Sequence, residues 1–140
     1  MTLLVVDASI VAKWLIPERH SAPARRILGE GNNLLAPDLL WAELGNVLWK
    51  KSRAGELTAE EARDLLHDLR RFPISTIPSF GLIGLALDIA TRFGRSVYDS
   101  LYLALAMGRH CQVVTSDRRL YASLNRGPLA PYLLWVEDVP

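Results

Sequence analysis

The sequence predicts one three-layer α/β/α domain on a central, mostly parallel sheet, and three observations carry that prediction. Short apolar-rich runs recur at Leu3 to Val6, Leu34 to Ala36, Ile74 to Ile77, Gln112 to Thr115 and Leu133 to Val136. Segments of helical periodicity with recognisable caps separate them. The runs are apolar on both faces, the pattern of strands covered by helices on each side. With 140 residues, the chain has the length of a single domain, 1–140.

Each element has a local reason. Leu3 to Val6 reads as a buried strand, followed by a helix over Ser9 to Ile16 that Pro17 stops. Ser21 is placed to cap a second helix ending near Gly29 or Gly31. Leu34 to Ala36 is the second strand, and Asp38 is placed to cap a long helix to Arg53, ended by Gly55. Thr58, with Glu61 three residues later, spells a capping box for a helix to Arg71. Ile74 to Ile77 is strand-like between Pro73 and Pro78. A helix from Phe80 to Phe93 is closed by Gly94, and Ser96 is placed to cap the next, which runs to Arg109. Gln112 to Thr115, Arg118 to Leu124 and Leu133 to Val136 complete the order as strand, short helix and strand.

Composition excludes several classes. Hydrophobic residues make up 50% of the chain and charged residues 22%, so a disordered chain is not expected. No apolar run reaches the ~18 residues of a membrane span, and the segment from Met1 to Asp7 lacks the basic region of a signal peptide. The single cysteine, Cys111, has no internal disulfide partner, which fits a reducing, cytoplasmic location and a thiol buried as a small hydrophobe. The net charge is +1; setting four gathered carboxylates aside leaves +5 on the rest of the molecule. Basic residues cluster at Lys50, Lys51 and Arg53, at Arg70 and Arg71, at Arg92 and Arg95, and at Arg118 and Arg119. An acidic pocket in a mildly basic surface suits a polyanion held at its flanks and cut with the help of a bound cation.

Four acids stand out by position. Asp7 and Asp117 follow apolar strands directly, with hydroxyls beside them, and ligands of open α/β sheets sit beyond those strand ends. Either alone reads as an ordinary helix cap. Glu43 lies four residues after Leu39 and four before Val47, on the apolar stripe of its helix. Asp99 lies four before Leu103 and in the first turn of its own helix. Carboxylates on core-facing stripes are costly unless paired or bound to a cation. Asp64 and Asp68 sit on a polar face, Asp38 is explained as a cap, and Glu18, Glu30, Glu56, Asp88, Glu137 and Asp138 read as surface charges. His20, His67 and His110 are scattered without zinc spacing, so hard oxygen ligands favour Mg²⁺ or Mn²⁺. A cation held there suits phosphodiester hydrolysis.

The residues also resemble a known family. Val5-Val-Asp-Ala-Ser-Ile-Val-Ala-Lys-Trp-Leu15, Leu40-Trp-Ala-Glu-Leu-Gly-Asn-Val-Leu48, Ser96-Val-Tyr-Asp-Ser-Leu-Tyr-Leu-Ala-Leu-Ala106 and Val114-Thr-Ser-Asp-Arg-Arg-Leu120 resemble, in order, the four blocks of VapC toxins. These are PIN-domain ribonucleases of type II toxin–antitoxin systems. The resemblance implies a PIN-like fold with a parallel sheet of about five strands. It implies that Asp7, Glu43, Asp99 and Asp117 form the catalytic and metal site, with Asp7 and Asp99 as direct ligands of Mg²⁺ (or Mn²⁺), and Glu43 and Asp117 completing the shell or positioning the attacking water. Ser9 and Thr115 match as supporting residues that orient carboxylates or a metal-bound water. It further implies an RNA substrate, a cognate VapB-type antitoxin and a homodimer.

Lys13, one turn past Ser9, is within reach of a scissile phosphate or is a snorkelling surface lysine. Arg118 and Arg119 are candidates for phosphate contact. Trp14, Trp41, Trp49 and Tyr102 lie among apolar neighbours and are expected in core or dimer packing. Rival readings are weaker. An aspartyl phosphatase wants a second Asp where Ser9 stands, and a receiver domain wants one on the third strand, which has none. A non-catalytic PIN-like domain, or a PIN-like nuclease outside a toxin system acting in RNA processing or on structured DNA, remains the alternative.

Overall fold

A computed structural model describes residues 2–29 and 31–140; Met1 and Glu30, the latter expected on the surface, lie outside them. Five strands are formed, β1 (Thr2–Val6), β2 (Asn32–Pro37), β3 (Ile74–Ile77), β4 (Gln112–Thr115) and β5 (Leu133–Trp135). They make one sheet in the order β3-β2-β1-β4-β5, and every pairing is parallel. The helices are α1 (Ala8–Leu15), α2 (Ser21–Arg26), α3 (Leu39–Arg53), α4 (Ala59–Asp68), α5 (Ile83–Phe93), α6 (Val97–Arg109) and α7 (Arg118–Leu124). One group packs α1 against α2 and α3, and α3 against α4. A second packs α5 against α6, which lies on β1, β2 and β4.

This order places the site. The chain builds outward from β1 to β2 and β3, then crosses back to lay β4 on the other flank of β1. The strand order therefore reverses between β1 and β4, the crevice where α/β sheets bind ligands beyond their carboxyl ends. The register matches Val5 to Val113 and Val6 to Val114, so Asp7 and Thr115 leave the sheet side by side. Beneath them Val5, Val6, Val113 and Val114 are fully buried, with Ile10, Leu44, Leu103 and Leu105 from the helices. Each such side chain contributes about 1.5–3 kcal/mol through burial, which makes the floor of the site rigid.

Local chemistry sets most boundaries as expected. The capping box of Thr58 and Glu61 opens α4, and the Ser96 hydroxyl accepts from the Asp99 amide to open α6. Gly94 ends α5 in the left-handed region at φ 70°, where a side chain would be strained. Several expectations need correction. Asp38 precedes α3 but has helical φ and ψ, and its side chain makes no cap bond. Instead it accepts from the Ser79 amide and hydroxyl at 3.0 and 2.5 Å, stapling the end of β2 to the segment after β3. Ser21 lies inside the first turn of α2 and accepts from the Glu18 amide at 2.7 Å. The helix expected from Phe80 begins with a 3₁₀ turn, Ser79–Leu82, and α4 closes through another, Leu69–Arg71. Cys111 is half-buried rather than enclosed. Among the described residues no helix is long and apolar enough to cross a membrane.

Candidate active site

The four acids reach the carboxyl edge of the sheet on four different elements. Asp7 is the N-cap of α1, and Asp117 the N-cap of α7. Glu43 sits in the second turn of α3, and Asp99 in the first turn of α6. Together with Ala8, Ser9, Tyr102 and Leu120 they line one cavity of ≈ 100 Å³. Helices α1 and α7 follow β1 and β4, and α6 begins at the same cavity with Asp99 in its first turn, so all three aim the positive ends of their dipoles at this edge.

Asp7 is the most enclosed of the set, 6% exposed. Its Oδ1 accepts from the Ser9 hydroxyl at 2.5 Å and from the Ile10 amide at 3.2 Å. The Ser9 oxygen in turn accepts from the Ser116 amide at 3.0 Å, tying the end of β1 to the end of β4. Burial pushes the Asp7 carboxyl up to about 6. Hydrogen bonds from Ser9, Thr115 and Ile10 pull in the opposite direction, and the Asp117 charge adds to the rise. Asp117 Oδ1 accepts from the Arg119 and Leu120 amides at 3.0 and 3.2 Å, while its own amide donates to the Thr115 hydroxyl at 3.0 Å.

The helix-borne pair is held by side chains. Glu43 Oε1 accepts from the Tyr102 hydroxyl at 2.5 Å. Partial burial raises the Glu43 carboxyl, the Tyr102 bond offsets some of that, and the Asp99 charge raises it further. Asp99 Oδ2 accepts from Arg95 Nη2 at 2.9 Å, one helical turn before it. Among the described residues the buried Arg95 Nε has no partner. Tyr102 is 4% exposed, and burial beside Glu43, Asp7 and Asp99 holds its phenol protonated. It therefore donates and never competes as an anion.

The sites expected from sequence are thus brought together at Asp7, Ser9, Glu43, Asp99, Thr115 and Asp117. Lys13 is turned to Glu18, 3.0 Å away. The Arg118 guanidinium lies over the Trp135 ring, 4.9 Å from its centroid. Trp14 is buried, donating to the Ala24 carbonyl and packing on Phe72, whereas Trp41 and Trp49 are exposed. Tyr102 was expected as packing; its ring is buried but its hydroxyl serves the site. Arg95 was seen only as one of a basic pair. Their signal is spacing, since Tyr102 lies three residues after Asp99 on one face of α6 and Arg95 four residues before it, just ahead of the Ser96 cap.

Among the described residues, no three His, Cys, Asp or Glu side chains stand close enough to share an ion directly. Within the cavity the Asp117 charge bears on Asp7 and the Asp99 charge on Glu43, which divides the acids into two couples.

Comparison with known proteins accords with this arrangement. The PIN domain model matches residues 4–123. Ribonuclease VapC3 of Pyrobaculum aerophilum is 36% identical over 119 residues, covering 84% of this chain and 91% of the relative. The crystal structure of PAE2754 from the same organism superposes with a TM-score of 0.67 at 26% identity, covering 97% of this chain and 85% of the other. VapBC2 from Rickettsia felis, solved bound to a DNA fragment from its promoter, gives 0.67 at 15% identity over 96% of this chain and 98% of that one, a likeness of fold alone. The chain belongs to the PIN domain family and, within it, to the VapC ribonucleases.

Proposed function

We propose that the chain is a divalent-metal-dependent endoribonuclease, the toxin of a VapBC-type module. The observation that carries this reading is the convergence of Asp7, Glu43, Asp99 and Asp117 on one small cavity beyond the sheet. The donor set fits a hard cation. It is all oxygen, and one member is a buried carboxylate whose proton affinity is raised by desolvation and a like charge. Among the described residues, Arg95 is the only cationic side chain paired with any of the four.

Asp7 and Asp99 are the proposed direct ligands, one from each couple. Glu43 and Asp117 are the proposed acceptors of hydrogen bonds from water in the cavity, orienting it towards phosphorus. Ser9 fixes the Asp7 rotamer, and Tyr102 fixes Glu43. A cation bound there supplies a Lewis acid that polarises the phosphodiester and acidifies water. The dipoles of α1, α6 and α7 favour the phosphate at the same edge. Hydrolysis then adds water across one P–O bond. The VapC relationship further supports an antitoxin partner, as in the VapBC2 assembly, together with homodimerisation and a cytoplasmic site of action.

Cleavage of RNA by the wild type and by Asp7→Asn, each in Mg²⁺, Mn²⁺ and EDTA, tests the proposal. Cutting is expected only with added metal and is abolished by the substitution while circular dichroism reports an intact fold. Equal activity in EDTA would overturn the metal mechanism, and a folded protein that cuts no RNA in any metal would favour a binding-only PIN-like domain.

A further inference from the structure

A groove of ≈ 380 Å³ opens from the acidic cavity, sharing Ala8 and Glu43 with it. Its long wall is one stripe of α3, where Glu43, Asn46, Val47 and Lys50 recur at helical spacing. The opposite wall is Tyr98, 62% exposed and one residue before Asp99. Beyond Lys50 a second depression is lined by Lys50, Arg53 and Ala54. Along the path carboxylates give way to the Asn46 amide and the Tyr98 ring over an aliphatic floor of Leu39, Ala42 and Val47, then to cations.

Charge separates the two lysines of this turn. Lys51 is committed, 3.3 Å from Glu56 and 3.9 Å from Glu18. Lys50 is exposed, and among the described residues it has no ion-pair partner, although it lines both depressions. An exposed tyrosine has no packing reason to stand at the mouth of a charged cavity, whereas single-stranded nucleic acid is bound by aromatic platforms beside cationic backbone contacts. The amide of Asn46, between them, has both a donor and an acceptor for a base edge or ribose hydroxyl.

We infer that this groove is the substrate subsite beside the scissile phosphate: the nucleotide next to the cut stacks its base on Tyr98, faces Asn46, and extends its following phosphate to Lys50. The inference rests on the endoribonuclease reading and adds to it a direction, with the strand leaving the acidic cavity along α3. Charge complementarity and continuity with the acids favour RNA over a protein segment as the occupant, because an unpaired lysine at this spacing answers a phosphate.

The test is fluorescence anisotropy of a labelled ten-nucleotide single-stranded RNA on the full chain carrying Asp7→Asn, in Mg²⁺, so that binding is read without cutting. Tyr98→Ala is expected to weaken binding about tenfold, and Tyr98→Phe to restore it. Lys50→Ala is expected to lower the slope of log affinity against log salt by about 0.7, the loss of one single-strand phosphate contact. Lys51→Ala serves as the matched control and leaves that slope unchanged. If the RNA binds and wild-type protein cuts it, yet Tyr98→Ala and Lys50→Ala bind like their parent, the groove assignment is wrong while the nuclease reading stands. A change in sedimentation of these variants with no change in RNA affinity would likewise overturn it, marking the face as a contact between protein chains. Failure of every form to bind or cut RNA would instead sink the endoribonuclease reading beneath it.

Discussion

The two carboxylate couples are held by different means. Asp7 and Asp117 are fixed largely by local backbone: each follows a strand, caps the next helix and accepts bonds from amides of its own first turn, with the Ser9 hydroxyl a second donor to Asp7. Glu43 and Asp99 project from helices and are steadied by side chains, the Tyr102 hydroxyl and the Arg95 guanidinium. The first couple is therefore the more firmly held, and burial raises Asp7 in it and Glu43 in the second. The second is adjustable. A cavity with one firmly held and one adjustable wall could tighten on the proposed cation without disturbing the sheet.

Breaking the rigid couple should have the largest effect. Asp7→Asn is expected to lower RNA cleavage by roughly a thousandfold or more, since it replaces a proposed ligand by a neutral amide. Stability should move the other way. The folded protein holds the Asp7 proton up to about pH 6, whereas the unfolded chain releases it near 3.8. Between those values the native state binds more protons, so without added cation this group costs stability as pH rises from 4 to 6. Asp7→Asn should therefore be more stable than wild type at pH 7 by about 3 kcal/mol, the equivalent of that shift. The gain should vanish near pH 4. Thermal melts in EDTA across this pH range measure it, and a variant less stable than wild type at pH 7 would show that Asp7 is not a desolvated charge.

The adjustable couple should respond less. Tyr102→Phe removes the donor to Glu43 and leaves a half-buried acceptor unpaired, an expected loss of about 1 kcal/mol. Cleavage by this variant should need more Mg²⁺ for half-maximal rate, because Glu43 is freed to turn away. An unchanged metal requirement would mean that Tyr102 serves packing alone. Arg95→Ala should be the mildest. The Arg95–Asp99 pair is partly exposed, 24% and 29% by side chain, so stability should change within about 0.5 kcal/mol. Its absence frees Asp99 from a competing cation, and the half-saturating Mg²⁺ concentration should fall several-fold. A rise instead would make Arg95 a necessary support of the site.

The same contrast describes what could be read from sequence. Asp7 and Asp117 were legible because a strand end is a local feature, with apolar residues running directly into an acid. Glu43 and Asp99 were legible from helical phase, since a carboxylate on an apolar stripe has to be explained. The strand and helix order was legible for the same reasons of period and capping. Tyr102 was not, because an aromatic ring on a buried helix face satisfies the packing rule, and only the meeting of α6 with α3 gives its hydroxyl a partner 59 residues away. Asp38 misled in the opposite sense: its position before α3 is that of a cap, but the return of β3 beside β2 supplies Ser79, a better donor. Spacing along the chain states what one element can do. Which elements meet is settled by the sheet order.

Anomalous scattering from crystals soaked in Mn²⁺ tests whether the proposed cation sits between the two couples. The expected result is a single peak inside the cavity lined by Asp7, Glu43, Asp99 and Asp117, with Asp99 drawn off Arg95 towards it. A cavity with no peak at saturating Mn²⁺, its four carboxylates still bound to their present partners, would contradict the account.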